Sequence, residues 1–326
     1  MQAQRRTLMF LLALTALAAA ALALLTCTAR RQEAAGREEE AGAIPLSAFA
    51  AKELTALTYT RAGQTVSLLY DGGAWAVAGD PDYRLDATKC DAMAAALADL
   101  RAIRRLDGAA GEDYGLAEPS LTVTVTAAGR TGTFTFGDTN PVTGDIYLQK
   151  AGDDAVYTAA PAKADCFGYS LEELFEPFNP AGITASRLEK IAYTCRAGAE
   201  RYTVELTALS APADGGGEAA YQTVWRLAGD PDAPLEEEAV QAILTALGGY
   251  VTGQTTPAMG ADPAACAGCD PVVTVTAADG EKEYALTYAA AADGCRLTVE
   301  GDRSVYTVDA AALAAFRPAG QLRAGR

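Results

Sequence analysis

The sequence contains no histidine. Its absence removes the commonest general base at neutral pH, the serine–histidine and cysteine–histidine nucleophile systems and most zinc enzymes. Tryptophan occurs only twice, at Trp75 and Trp225, and aromatic residues make up 7% of the chain. Basic charge is also scarce. Of 26 Lys and Arg residues, five Arg (5, 6, 30, 31 and 37) lie in the first 37 positions, so the remainder has a net charge of about −20. A body this acidic repels nucleic acid and anionic headgroups, which excludes nucleic acid as a partner. No second Cys-x-x-Cys accompanies Cys266–Cys269 to complete a metal site.

What is present begins with "LMFLLALTALAAAALALLTC" at 8–27, preceded by Arg5 and Arg6. An apolar run of about 20 residues spans a bilayer as a helix. It reads as an uncleaved signal anchor. The alternatives are a lipoprotein signal ending at Cys27, disfavoured by Thr26 in front of it, and a cleaved signal peptide. Each places the body outside the cytoplasm, held at the cell membrane by the anchor or the lipid or secreted after cleavage, although Arg30 and Arg31 after the run weaken the positive-inside argument. The segment 1–29 is therefore expected to be the anchor or signal. The segment 30–46, charged and poor in large apolar residues, is expected to be a solvated stalk.

Beyond the stalk the chain repeats itself. "WAVAGDPD" at 75–82 returns as "WRLAGDPD" at 225–232, and "VTVTAA" at 123–128 returns at 273–278, both shifted by 150. Val156-Tyr157-Thr158 and Phe167 return 149 residues later, and Tyr59-Thr60 returns 134 later. The jump in spacing is absorbed by "SAPADGGGEAA" at 210–220, read as an extended hairpin. Matches in constant order over more than 100 residues are a duplication.

The predicted fold class is α+β: two tandem copies of a strand-rich module, 47–180 and 181–318, behind one transmembrane helix and before a tail, 319–326. Each module is expected to hold about seven short antiparallel strands, one main helix and a short closing helix. Strands are predicted over 54–60, 64–70, 73–78, 121–127, 131–137, 145–149 and 154–158. Their counterparts are 188–195, 201–208, 221–228, 271–277, 282–288, 295–299 and 304–308. The main helices are predicted over 86–101 and 235–248. Cys90, Met93, Leu97 and Leu100 share one helical face, matched by Val240, Ile243 and Leu247. Trp75 and Trp225 are expected to end the third strand of each copy and cap the core beside the helix. Gly-Asp-Pro-Asp then breaks the strand, with Asp80-Pro81 and Asp230-Pro231 in the turn and Asp82 or Asp86 near the helix N-terminus.

The order "GGAWAV", "LDATKCDAMAAALADLRAI", "DYGLAEP" at 113–119, a "VTV" strand, Gly137, "GDIYLQ" at 144–149 and "AVYTA" at 155–159 resembles the bacterial family called domain of unknown function 4340. The resemblance is best over 45–175 and looser in the second copy, which lacks the Tyr-Gly-Leu-x-x-Pro element. It implies an N-terminally anchored envelope protein, often encoded beside gliding-type ABC-transporter components, and carries no catalytic residues.

Other motifs have bland readings beside the sharp ones. Cys266 and Cys269 are read as a structural disulfide, free thiols or a redox pair, in a loop before a strand. With Cys27 in the membrane or lipidated, six cysteines remain, and Cys90 reads as a buried thiol. Asp80, Asp82, Asp230 and Asp232 are read as turn residues rather than calcium ligands or acid–base pairs. Glu236–Glu238 read as a first helical turn, and 137–145 as a hairpin connection rather than a ligand loop. No cofactor, metal or catalytic residue is expected. The functional expectation is a non-enzymatic accessory or protein-binding component of the envelope. The alternatives are a small-molecule-binding module and a thiol–disulfide protein using Cys266 and Cys269.

Overall fold

The computed structural model of the chain describes residues 44–106, 112–212 and 221–324. The first copy contains β1 (Ile44–Pro45), β2 (Leu54–Arg61), β3 (Gln64–Tyr70), β4 (Trp75–Val77), α1 (Ala87–Ala98), β5 (Arg101–Ala102), β6 (Arg104–Leu106), β7 (Leu121–Ala127), β8 (Arg130–Thr139), β9 (Ile146–Lys150), β10 (Val156–Ala159) and α2 (Ala162–Asp165). The second contains β11 (Lys190–Ala197), β12 (Glu200–Pro212), β13 (Tyr221–Leu227), α3 (Glu237–Gly248), β14 (Gly253–Thr255), α4 (Pro263–Ala267), β15 (Val272–Ala278), β16 (Glu283–Ala291), β17 (Gly294–Val299), β18 (Val305–Val308), α5 (Ala310–Ala314) and α6 (Ala319–Leu322). The protein is α+β, with two eight-stranded antiparallel sheets of the same connectivity. The orders are β4-β3-β2-β7-β8-β9-β10-β6 and β13-β12-β11-β15-β16-β17-β18-β14.

Period-two alternation builds the sheets. Leu121, Val123, Val125 and Ala127 of β7 are buried, while Thr122, Thr124 and Thr126 face the other way. Each main helix supplies apolar cover. Cys90, Met93 and Leu97 of α1 and Ile243 of α3 are fully buried, and Leu247 of α3 is nearly so. In the second sheet the Tyr288 hydroxyl donates to the Ala246 carbonyl at 2.7 Å, which ties β16 to α3. The Phe316 ring sits 5.2 Å from Tyr193 and 5.0 Å from Tyr288. The matching pair of the first copy, Tyr59 and Phe167, lies edge to face at 5.8 Å.

The strand count is eight per sheet, not seven. The additional strands, β6 and β14, are three residues long and too short to show alternation; they exist because β10 and β18 offer them a backbone edge. The stretch 319–324 is no tail. Glu236 N–H donates to Leu322 O at 2.8 Å and Leu322 is wholly buried, as Asp86 N–H donates to Leu174 O at 2.8 Å in the first copy. The stalk is also shorter than expected, since Ile44 pairs with Ala102 and Leu46 is buried. The run 8–27, Cys27 and the rest of the stalk lie outside the described residues. Among the described residues no helix is long and apolar enough to cross a membrane.

By backbone proximity the described residues divide into two compact units, those within 44–67 and 91–168, and those within 68–90 and 169–324. The segment 68–90, which carries the first Gly-Asp-Pro-Asp corner, belongs to the second unit.

Candidate functional site

Both Gly-Asp-Pro-Asp sequences form a strand–turn–helix corner. Asp80 N–H donates to Val77 O at 3.0 Å and Asp230 N–H to Leu227 O at 3.1 Å. Asp86, rather than Asp82, caps α1, its Oδ1 accepting from Thr88 N–H at 3.0 Å and Lys89 N–H at 3.2 Å. The aspartates then diverge. Asp80 is 5% exposed and accepts from the buried Thr256 hydroxyl, whereas Asp230 pairs in the open with Arg323 at 2.8 Å. Neither carboxylate joins a cluster of ligands, and among the described residues no group of three metal-binding side chains exists. The tryptophans diverge too. Trp225 is buried within β13, but Trp75 opens the three-residue β4, is only half-buried and rests on the Tyr70 ring at 4.9 Å. It does not cap the core, because a strand that short at the sheet edge leaves its ring on the neighbouring strand.

A cleft of about 630 Å³ opens in the second unit, lined by Arg84, Phe178, Gln254, Tyr284, Asp302 and Tyr306 among others. Arg84 Nε meets Glu176 Oε2 at 3.0 Å, and its guanidinium lies 5.0 Å above the Phe178 ring. Gln254 Oε1 accepts from Arg84 N–H at 3.0 Å, while its Nε2 donates to Asp82 O at 3.0 Å and Ser304 Oγ at 3.2 Å. Phe178 and Tyr306 meet edge to face at 5.7 Å, and the Tyr306 hydroxyl donates to Asp302 at 2.6 Å. Burial, and then Asp302, push the Tyr306 phenol up from its ordinary value. The wall is thus a preformed set of donors, acceptors and rings. Sequence reasoning did not find it, because Arg84 and Gln254 are joined across 170 residues and neither stands in a motif.

The face of each sheet opposite the helix is a field of threonine. On the first, hydroxyl pairs join Thr58 to Ser67 at 3.1 Å, Thr60 to Thr65 at 2.8 Å, and Thr124 to Thr133 and Thr126 to Thr131 at 3.1 Å each. On the second, Thr194 and Thr203 meet at 3.0 Å, and these two with Thr274, Thr276, Thr287 and Thr298 line a trough of about 560 Å³. Cross-strand threonine pairs stiffen a sheet surface by a few tenths of a kcal/mol each. They leave hydroxyls on a rigid, wet face.

Cys266 lies in α4, not in a loop. The missed signal was Asp262-Pro263, an N-cap followed by a first-position proline; Asp262 Oδ1 accepts from Ala264 N–H at 3.1 Å. No disulfide joins Cys266 to Cys269, and Cys90, Cys166, Cys195 and Cys295 are likewise in none. The segment 137–145 is a hairpin connection, held by Asn140 accepting from Val142 N–H at 2.9 Å and donating through its own N–H to Asp145 O at 2.7 Å.

The Tyr-Gly-Leu-x-x-Pro element also gains a physical role. Asp138 N–H donates to Tyr114 O at 2.8 Å, and the Tyr114 and Tyr147 rings stack at 4.6 Å. Gly115 has φ +73°, and a Cβ there would fall 2.5 Å from Asp138 Cγ. No curated protein and no solved structure is similar enough to the chain to support a relationship. A family model described as a domain of unknown function (DUF4340) matches residues 75–219, further toward the C-terminus than the 45–175 expected, and over that stretch the chain is similar to that family.

Proposed function

We propose that the chain is a non-enzymatic, protein-binding accessory component of a bacterial envelope complex, held at the membrane by residues 8–27 with its body outside the cytoplasm. The association with an ABC transporter implied by the family resemblance is part of the same proposal. The observation that carries it is the duplicated threonine face: two sheets of identical order, each presenting hydroxyls on the side away from its main helix, with α4 covering one end of that side in the second. Such a face suits a protein partner, since interfaces of this kind are no more apolar than ordinary surface and are completed by hydroxyls and water. The lack of histidine supports a non-enzymatic role. Photo-cross-linking residues placed at Thr133 and Thr287 in intact cells test it. One reproducible protein adduct from these faces, absent for a probe at Lys52, is expected; no adduct from either face overturns the reading.

The cleft favours a second reading, an extracytoplasmic small-molecule-binding module. Its volume lies in the range of ligand sites, and its polar groups converge on one wall. A thermal-shift screen on the full chain distinguishes the two: a hit abolished by Arg84→Ala selects the small molecule.

A further inference from the structure

We infer that Cys266 and Cys269 are a reversible thiol–disulfide modification site, in which Cys269 exchanges first with an external disulfide and Cys266 then closes the ring. The inference is independent of the proposed partner.

The geometry is set by the backbone. Cys269 N–H donates to Cys266 O at 3.2 Å, which closes a four-residue turn. A turn of this kind holds its end Cα atoms within about 7 Å, close to the separation a disulfide spans. The side chains converge as well. Cys266 packs in an apolar cluster with Val272, Ala289 and Val305, and Cys269 packs against that same cluster. The turn is anchored independently of the sulfurs. Arg196 Nη2 donates to Ala267 O at 2.9 Å and to Cys269 O at 3.0 Å, and Gly198 N–H donates to the Asp270 carboxylate at 2.8 Å. The Cys269 Sγ–H donates to Ala265 O at 3.6 Å, a weak contact that ring closure gives up while these backbone anchors stay in place.

Access assigns the roles. Cys266 is 5% exposed, while Cys269 reaches solvent. Burial, and then the neighbouring Cys269, raise the Cys266 thiol, so it is the slower of the two to meet an outside disulfide. Cys295 is fully buried and Cys195 is 6% exposed, so neither offers an entry point from solvent. The Cys269 thiolate attacks one sulfur of a disulfide R–S–S–R, such as oxidised glutathione or a protein disulfide, and releases R–S⁻. Cys266 loses its proton to solvent and attacks the Cys269 sulfur of the mixed disulfide, releasing the second R–S⁻. Two protein thiols are oxidised and one external disulfide is reduced to two thiols.

The test uses the full chain, folded, in glutathione buffers of graded redox ratio, followed by alkylation and tryptic digestion. Residues 227–282 form one tryptic fragment holding only these two cysteines. The expected result is a fragment two hydrogens lighter that resists alkylation until reductant is added, and that reverts in reduced buffer. Two alkylated thiols at the most oxidising ratio, or a link from Cys266 to Cys295, overturns the inference. The single variants read the order of attack. In Cys266→Ser, a glutathione adduct persists on Cys269; in Cys269→Ser, the adduct on Cys266 forms slower by on the order of tenfold or more. Equal rates overturn it.

Discussion

The Thr256 hydroxyl donates a 2.5 Å hydrogen bond to Asp80 Oδ2, with both side chains buried, 176 residues apart in sequence. The repeat-related Asp230 instead pairs with Arg323, with both side chains roughly half exposed. Identical sequence at the two corners therefore carries unequal energy. Asp80→Ala strands a buried hydroxyl and is expected to cost about 1–3 kcal/mol. Asp230→Ala loses a solvated ion pair, worth about 0–1 kcal/mol. Urea unfolding of the two variants measures the difference. Equal shifts in midpoint would contradict the assignment.

Gly137 makes a steric prediction. A Cβ there would collide with the Tyr114 carbonyl oxygen, and the Ser120 hydroxyl bonds Gly137 O at 3.0 Å from the other side. Gly137→Ala is expected to lose about 2–4 kcal/mol. Gly229→Ala meets nothing within 4 Å and serves as the control, with a change within about 0.5 kcal/mol. Thermal unfolding reads both. If Gly137→Ala matches the control, the close approach to Tyr114 is not real.

Much of this architecture was legible in the sequence, and the parts that were not share a cause. Alternation in "LTVTVTA" and the helical spacing of Cys90, Met93 and Leu97 are local, and they located strands and helices to within a few residues. The duplication was legible because Tyr59–Phe167 and Tyr193–Phe316 keep their types and order. The strands β6 and β14 and the docking of Leu322 were not, since a backbone edge supplied by a distant strand leaves no pattern in the residues that use it. The cleft failed for the same reason: Gln254 gains meaning only from Asp82, Arg84 and Ser304. The helix around Cys266 was different, because Asp262-Pro263 announced it.

The titrating groups set two limits on stability. Asp71 is held below its ordinary 3.8 by the backbone N–H groups of Ala74 and Gly73, and Asp153 by the Tyr157 hydroxyl. Lowered carboxylates stabilise the fold above their unfolded value and lose that contribution as pH falls through the folded one. Burial raises Tyr83 from 10.0 to about 12, and Cys166 and Cys295 from 9.0 to about 11. These groups stabilise while neutral, fully below the unfolded value, and cease to as pH rises through the folded one. The urea midpoint is expected to be flat from about pH 5 to pH 9, to fall below about pH 4, and to fall between 9 and 12. Cys166→Ser should shallow the alkaline limb; an unchanged limb would remove Cys166 from this account.

Two hairpins carry avoidable strain. Ala62 has φ +48° and Ala128 φ +49°, each followed by a left-handed glycine, Gly63 at +79° and Gly129 at +73°. These paired positive φ values match the two-residue turn that suits a twisted hairpin, whose preferred sequence is Asn-Gly. Alanine has no side-chain oxygen to offset the clash of its Cβ with the backbone in this region, a penalty of about 1–2 kcal/mol. Ala62→Asn and Ala128→Asn should each stabilise the chain by about 0.5–1 kcal/mol, and the double variant by their sum, because the turns lie in different strand pairs. Urea midpoints of the three variants check this. Midpoints that fall would show that the turns do not hold the left-handed geometry, and a double variant far from additive would show that the two hairpins are coupled through β2 and β7, which pair along their length from Leu54 opposite Ala127 to Arg61 opposite Leu121.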